Sequence, residues 1–144
     1  MPRAETLRQT ITGGTVGIFG PAGSVTPSEL MKMTVLARDF SGCSVLIRTQ
    51  DQLNAALALI ELDGVARRMV LCTPDLSAEQ LAGVAATAEA DAIVLDADPL
   101  LTAPAGLSAH VLAARPLAAD VKRGGGEPTE WILLTSGTTG TPKL

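Results

Sequence analysis

The sequence predicts an α/β protein in which helices flank a mainly parallel β-sheet. Apolar runs centred near residues 17, 46, 71 and 93 follow one another at roughly 22 to 29 residues, the spacing of strands joined through helices. The runs are continuously apolar instead of alternating, which indicates burial on both faces of the sheet. Between them stand helix-capping residues followed by apolar residues at helical spacing. Each crossover is expected to be right-handed.

The first predicted strand covers residues 15–19 and ends at a Gly-Pro-Ala-Gly turn at 20–23. A helix is predicted to begin at Thr26, because Thr26 can cap it, Pro27 suits the first helical position and Glu29 can complete a capping box. The buried face of that helix would consist of Leu30, Met33, Leu36, Ala37 and Phe40. The glycines of residues 13–20 lack the dinucleotide-binding spacing, so we interpret them as strand and turn glycines.

The second strand is predicted at residues 44–47, followed by a capping box at residues 49–52 and a helix. Asp63 and Gly64 are predicted to end this helix, since glycine tolerates the left-handed conformation found after a helix C-terminus. The inner face of the helix would carry Leu53, Ala56, Leu57 and Ile60.

A third strand is predicted at residues 69–73 and a fourth at 91–95. Between them, Ser77 and Gln80 form a capping box before the third helix. The buried stripe of that helix would consist of Leu81, Val84, Ala85 and Ala88. The methionines Met31, Met33 and Met69 are interpreted as core residues.

Beyond residue 96 the alternation of strand and helix signals becomes weak. Residues 97–130 form a poorly defined connection rich in Gly, Pro and Ala, with a possible short strand at 109–112 and a flexible, basic linker at 122–126. Residues 131–144 then supply a strand and a loop. We predict that residues 1–144 form a single α/β subdomain, because the chain has the length of about one domain.

Composition excludes several classes of function. Apolar residues make up 47% of the 144 residues, enough to bury a core, whereas aromatic residues make up only 2%. The net charge of −4 and the scarcity of rings for base stacking argue against a nucleic-acid partner. No apolar run approaches the roughly 20 residues of a membrane span, and residues 1–14 contain no apolar block of the kind expected in a signal peptide. We therefore expect a cytoplasmic location.

Several other residues that could take part in chemistry are interpreted as structural. Cys43 and Cys72 are expected to be buried, reduced thiols, since they lack the spacing of a metal or redox motif. His110 is interpreted as a tolerated strand residue and Trp131 as packing at a strand entrance. Three aspartates, Asp91, Asp96 and Asp98, cluster near a predicted strand. Carboxylates at strand ends can bind Mg²⁺, but we favour the interpretation that these residues are solvated at strand and loop ends.

The residues after 130 carry most of the chemical information. An apolar strand at 131–134 leads into glycines and hydroxyl side chains, followed by Lys143. Glycines let backbone N–H groups approach an anion, hydroxyl groups add donors, and a lysine adds a positive charge, so the loop suits phosphate oxygens. It is not a Walker loop, which would need glycine at Pro142 and Ser or Thr at Leu144. A ligand-free surface turn is the alternative interpretation.

The sequence TSGTTGTPK at Thr135–Lys143 resembles the (S/T)SGTTGxPK phosphate loop of the AMP-forming adenylating enzymes, at every defined position. That superfamily includes the acyl-CoA and aryl-CoA synthetases, the adenylation domains of peptide synthetases and the luciferases. The resemblance implies an ATP- and Mg²⁺-dependent enzyme that joins a carboxylic acid to a thiol, with coenzyme A as the expected acceptor. It implies nucleotide-phosphate binding by Thr135, Ser136, Gly137, Thr138, Thr139, Gly140, Thr141, Pro142 and Lys143.

Members of this superfamily are several times longer, and their adenine-binding and ribose-binding motifs and catalytic lysine would follow Leu144. The resemblance therefore implies an N-terminal part of a larger ligase, inactive alone, with no catalytic residue of its own and with the remainder of its chain as a partner. The alternative is a non-catalytic nucleotide-phosphate-binding or interaction domain.

Overall fold

The computed structural model describes residues 18–20, 23–26, 29, 33–36, 38–96, 104, 106–112, 117–118 and 128–134. Nine strands and two helices lie within these residues. In chain order they are β1 (Ile18–Gly20), β2 (Gly23–Val25), β3 (Met33–Thr34), β4 (Ser44–Arg48), α1 (Gln52–Leu62), β5 (Arg68–Cys72), α2 (Ala78–Thr87), β6 (Ala92–Leu95), β7 (Ser108–Val111), β8 (Leu117–Ala118) and β9 (Glu130–Leu133).

The main sheet has five strands in the order β7-β6-β4-β5-β9. All four neighbouring pairs are parallel, so the carboxyl ends of the five strands share one edge of the sheet. The α/β class and the mainly parallel sheet are therefore confirmed. The short strand expected near residues 109–112 is also confirmed, as β7.

Burial of the central strand follows from its sequence. Every residue of β4 is buried, so a separate layer of structure must pack on each face of the strand. Val45 and Ile47 pack in the core that contains the α1 side chains Leu57 and Ile60. Leu46 packs in the second core, with the α2 side chains. The two helices therefore cover opposite faces of the sheet.

α1 ends at the predicted residues but its N-cap is Asp51, so the capping box predicted at residues 49–52 is wrong, whereas α2 begins at its predicted cap. The side chain of Asp51 accepts a hydrogen bond from the Leu53 N–H, and Gly64 has a φ of 82° beyond the Asp63 C-cap. Ser77 and Gln80 form the predicted capping box of α2. Such caps are each worth about 1 kcal/mol.

The predicted inner faces are largely confirmed. All four residues of the predicted α2 stripe are buried, and so is Met69. In α1, Ala56 is only half-buried, whereas Ala58 and Leu62 join the core.

The first predicted strand does not belong to the parallel sheet. β1 instead pairs with β2 in a separate antiparallel hairpin, in which Gly20 lies opposite Gly23. β1 is thus followed by an antiparallel partner strand, not by a helix. Residues 15–17 of the predicted strand lie outside the described residues.

The helix predicted from Thr26 to Phe40 is wrong in its second half. The capping box forms, because the Thr26 N–H donates to Glu29 Oε2 at 2.8 Å and the Glu29 N–H donates to Thr26 Oγ1 at 3.3 Å. Met33 and Thr34, however, form β3, which pairs antiparallel with β8. Phe40 is buried outside any helix.

Other parts of that helix face have mixed outcomes. Leu36 is buried, but outside any helix. Leu30, Met31 and Ala37 lie outside the described residues, as do Lys122 and Arg123 of the predicted linker.

Neither α1 nor α2, the two helices in the described part of the chain, is long and apolar enough to cross a membrane.

Candidate nucleotide-phosphate site

The predicted phosphate loop follows β9 at the carboxyl edge of the parallel sheet. Leu133 of β9 lies opposite Leu71 of β5, and Leu134 is the last described residue before the loop. Ligands of open α/β sheets bind beyond the carboxyl ends of the strands, so β9 leads the loop to a favourable edge. The following predicted loop residues lie outside the described residues: Thr135, Ser136, Gly137, Thr138, Thr139, Gly140, Thr141, Pro142 and Lys143.

Side-chain contacts hold the start of β9. The Thr129 hydroxyl accepts a hydrogen bond from the Gly64 N–H at 2.8 Å and donates to the Ala66 carbonyl at 2.7 Å. Arg68 Nε and Glu130 Oε2 form an ion pair at 2.5 Å. These contacts join the start of β9 to β5 and to the connection between α1 and β5, and they help to fix the register of β9.

Trp131 lies near the start of β9, as predicted, but is half-exposed. Its indole Nε1 donates a hydrogen bond to Asp63 Oδ1 at 2.9 Å, which links β9 to the end of α1. The neighbouring Leu133 is 65% exposed. Trp131 is the only tryptophan of the chain, so its fluorescence reports on the strand that leads into the loop.

The carboxyl end of β4 carries a buried arginine that the sequence analysis did not single out. Arg48 is 7% exposed, and its Nη2 donates to the carbonyl oxygens of Pro74 and Leu76, both at 2.8 Å. Its Nε is buried and has no acceptor within the described part of the chain. The sequence did contain a hint of this residue, because a charged side chain directly follows the apolar run of β4. Arginine is almost never fully buried unless it is paired.

The carboxyl end of β6 carries a buried carboxylate. Asp96 was expected at a solvated strand end, and that prediction is wrong, because it is 7% exposed. Its Oδ2 accepts hydrogen bonds from the Gln50 N–H at 2.7 Å and the Asp51 N–H at 3.0 Å. Asp96 and the Asp51 cap therefore place negative charge at the N-terminus of α1, which disfavours phosphate binding there.

The other aspartates give no metal site in the described structure. Asp91 is exposed, as expected of a strand end, and its Oδ2 accepts a hydrogen bond from the Ser44 N–H at 2.8 Å. It precedes β6, whereas Asp96 follows β6, so the two carboxylates lie at opposite ends of that strand. Asp98 lies outside the described residues. No group of three or more His, Cys, Asp or Glu side chains within the described ranges is placed to hold a metal ion.

His110 lies in β7, in agreement with the strand interpretation. Its ring stacks edge-on against Phe40, with centroids 5.1 Å apart. Its Nε2 lies 2.7 Å from the Ser108 hydroxyl. Burial, followed by the nearby Arg38 guanidinium, lowers the pKa of His110, so the imidazole is biased toward its neutral form.

Both cysteines are free thiols, which confirms the expected reduced state. Cys72 is buried, whereas Cys43 is only half-buried. Burial raises the pKa of Cys72 to about 12, although the Arg48 guanidinium acts in the opposite direction. Cys72 is therefore a neutral, unreactive thiol at the carboxyl end of β5.

Comparison with known proteins gives no assignment: no family model matches the chain, and no curated protein matches it significantly. Two features therefore remain on which to base a function. One is the loop sequence after β9, and the other is the edge of the sheet to which β9 leads it.

Proposed function

We propose that this chain is the N-terminal part of an ATP-dependent, AMP-forming carboxylate ligase similar to acyl- and aryl-CoA synthetases. The observation that carries the proposal is the sequence TSGTTGTPK at Thr135–Lys143, directly after a strand of a parallel α/β sheet. Five hydroxyl side chains, two glycines and a lysine within nine residues give a dense set of phosphate donors.

The energetics of such a loop suit a triphosphate. Each hydrogen bond to a charged group is worth roughly 1.5–3 kcal/mol, so several together can hold a polyphosphate on a protein with a net charge of −4. The parallel sheet supports this interpretation, because the loop follows the carboxyl end of β9, where α/β proteins bind ligands.

In the proposed reaction, a carboxylate oxygen of the acid attacks the α-phosphorus of ATP. The bond between the α-phosphorus and the bridging oxygen breaks, and pyrophosphate leaves with the bonding electrons. The sulfur of a thiol such as coenzyme A then attacks the carbonyl carbon of the acyl-adenylate and releases AMP. Mg²⁺, bound mainly by phosphate oxygens, supplies charge neutralisation.

The role of this chain in that reaction is to bind and orient the departing pyrophosphate. Charge that develops on the leaving group is stabilised by donors already in place. The expected donors are the side chains of Ser136, Thr138, Thr139 and Lys143 and the N–H groups of Gly137 and Gly140. Pro142 would stiffen the exit of the loop.

Binding is tested directly with the 144-residue chain. Titration with Mg·ATP, followed through Trp131 fluorescence, is expected to show saturable binding. The Lys143→Ala variant should bind at least tenfold more weakly, because a charge-assisted contact is lost. Lys122→Ala removes the same charge from the predicted linker and should leave the affinity unchanged. Equal affinities of wild type and Lys143→Ala would contradict the assigned role of the loop.

Catalysis is tested with the natural protein that carries this chain. ATP–pyrophosphate exchange should appear with at least one member of a panel of short, long and aromatic carboxylic acids. Lys143→Ala should slow that exchange on the order of 10²-fold, as for other lost transition-state donors. Nucleotide binding without exchange for any acid would instead favour the non-catalytic phosphate-binding domain.

A further inference from the structure

The fold brings Arg38, Ser108 and His110 together at the β7 edge of the main sheet, at the opposite edge from β9. Ser108 and His110 are alternate residues of β7, so they lie on the same face of the sheet. On that face they are opposite Ala92 and Val94, which belong to the core covered by α1. Arg38 reaches the same place from the segment between β3 and β4, 72 residues earlier in the chain.

Two contacts fix the ring of His110. The ring of Phe40 is buried and packs edge-on against it, with centroids 5.1 Å apart. Nη1 of Arg38 lies 3.2 Å from Nε2 of His110 and 3.4 Å from Nδ1. An atom almost equally distant from both ring nitrogens would overlap the carbon between them if it lay in the ring plane. Nη1 therefore lies against the face of the ring, in a cation–π contact that holds the guanidinium in place.

The cluster offers hydrogen-bond donors to solvent. Arg38 is exposed, and the ion pair found in the described ranges joins Arg68 to Glu130 instead. The Ser108 hydroxyl, also exposed, lies 2.7 Å from Nε2 of His110. When the imidazole is protonated, Nε2 donates to the hydroxyl oxygen, which leaves the hydroxyl proton free to donate to an anion. The guanidinium has several further donors and no acceptor.

The carboxylates near the cluster are engaged with other donors. Oδ1 of Asp39 accepts hydrogen bonds from the hydroxyl of Ser41 at 2.5 Å and from its N–H at 2.9 Å. These side-chain and backbone hydrogen bonds lower the pKa of Asp39, so it stays ionised next to Arg38 in the chain. Oδ2 of Asp91 accepts from the Ser44 N–H at 2.8 Å. Because Asp39 retains its charge, an anion must gain its affinity from direct contacts with the three donors.

We propose that Arg38, Ser108 and His110 form a binding site for a phosphate-type oxyanion, either inorganic phosphate or the phosphate group of a small monoester. This inference goes beyond the proposed function and does not depend on the loop after β9. The planar fork of an arginine matches phosphate oxygens, and the hydroxyl and the protonated imidazole donate to the remaining oxygen. The site is open to solvent, since Arg38 and Ser108 are exposed and His110 is half-buried.

The first experiment uses His110 as the reporter, because it is the only histidine of the chain and its ring C–H signals in an NMR spectrum need no assignment. Inorganic phosphate, phenyl phosphate and acetate are titrated separately at constant ionic strength. The two phosphates should shift the His110 signals saturably, and acetate should bind more weakly because it has fewer acceptor oxygens.

Matched variants identify the donors. Arg38→Gln should weaken phosphate binding roughly tenfold or more, because a charge-assisted contact is lost. Arg67→Gln removes the same charge from an exposed position just before β5 and should leave the affinity unchanged. Ser108→Ala, at an exposed site, should weaken binding without affecting the circular dichroism spectrum. Equal phosphate affinities of Arg38→Gln and Arg67→Gln would overturn the inference.

A second experiment needs only the wild-type chain. Burial, followed by the Arg38 guanidinium, lowers the pKa of His110 in the free protein. A bound anion favours the protonated ring, so the pKa measured from the NMR signals should rise when phosphate is present. A His110 pKa that does not depend on phosphate would overturn the inference.

The outcomes also separate this site from the proposed function. If Lys143→Ala loses Mg·ATP affinity but keeps the phosphate-dependent shifts of His110, the two sites are distinct, as we expect. If Lys143→Ala abolishes those shifts, the anion binds at the loop and the Arg38 inference is overturned. Equal responses to acetate and phosphate would overturn the assignment to a phosphate-type oxyanion. A failure of pyrophosphate exchange in the natural protein would contradict the ligase alone.

Discussion

The indole Nε1 of Trp131 donates a hydrogen bond of 2.9 Å to Oδ1 of Asp63, the residue that caps the C-terminus of α1. One residue beyond Asp63, the Gly64 N–H donates to the Thr129 hydroxyl just before β9. The end of α1 is thus joined to the start of β9 at two points. Because β9 is an edge strand, these contacts help to fix the strand that leads into the candidate site.

We expect Trp131→Phe to lower the free energy of unfolding by about 1 kcal/mol, the usual net value of a hydrogen bond, because phenylalanine keeps an apolar ring but donates no hydrogen bond. Denaturant unfolding followed by circular dichroism measures the change. Asp63→Asn retains an acceptor oxygen and should cost less than Trp131→Phe. A Trp131→Phe variant as stable as wild type would mean that this bond does not stabilise β9.

A second prediction concerns the contact between the β1–β2 hairpin and α1. A Cβ added to Gly20 would lie 2.7 Å from Leu53 Cβ, whereas one added to Gly23 would meet nothing within 4 Å. Gly20→Ala should therefore destabilise the protein by about 1–3 kcal/mol through overpacking, and Gly23→Ala by much less. Thermal unfolding of the two variants makes a matched comparison. Equal melting temperatures would show that the hairpin can move away from α1 without cost.

A third prediction concerns Asp96, which accepts hydrogen bonds from the backbone N–H groups of Gln50 and Asp51. Asp96→Ala should lower the free energy of unfolding by about 1–3 kcal/mol, because two part-buried N–H donors lose their acceptor. Asp96→Asn keeps one acceptor oxygen and should cost less, as measured by denaturant unfolding. If the two variants are equally destabilised, the loss of charge would matter more than the loss of the acceptor.

Much of the main sheet could be predicted because local and long-range preferences agree there. The buried run of β4 is apolar on both faces, and the capping box of Ser77 and Gln80 is a local signal read from neighbouring residues. The candidate loop was recognisable for the same reason, since its donors at Thr135–Lys143 are contiguous in the sequence. Agreement between local propensity and global packing makes such segments predictable.

The features that escaped prediction depend on contacts distant in sequence. Asp96 is buried because it meets N–H groups 45 and 46 residues away, and no neighbouring residue indicates that contact. The helical spacing of residues 30–40 predicted a continued helix, but Met33 and Thr34 instead pair with β8, more than 80 residues later. Tertiary contacts override helix propensity in such a segment.

Glu61 of α1 provides the long-range contact that shapes this segment. Its Oε2 accepts hydrogen bonds from the N–H groups of Val35 at 3.0 Å and Leu36 at 3.2 Å. Its Oε1 accepts a hydrogen bond from the Thr34 hydroxyl. A single carboxylate thus accepts from three donors at the end of β3 and in the two residues after it, and holds this segment against α1.

The Glu61 contact predicts a distinctive dependence of stability on pH. Burial raises the pKa of Glu61 above its ordinary value of 4.5, although hydrogen bonds from Thr34, Val35 and Leu36 oppose the shift. The folded state therefore binds this proton more tightly than the unfolded state does. The resulting stabilisation is fully present below pH 4.5 and is lost as the pH rises through the higher folded pKa.

Unfolding free energies of wild type and Glu61→Gln, measured by denaturant titration between pH 4 and 8, test this sign. Glutamine does not titrate, so the difference between the two proteins isolates Glu61. Wild type should gain stability relative to Glu61→Gln as the pH falls toward 4.5, because protonation relieves the cost of a buried charge. Glu79→Gln removes an exposed carboxyl of α2 and is the control for the loss of one charge. A relative gain of wild type toward higher pH would show that the hydrogen bonds outweigh burial and lower the pKa of Glu61.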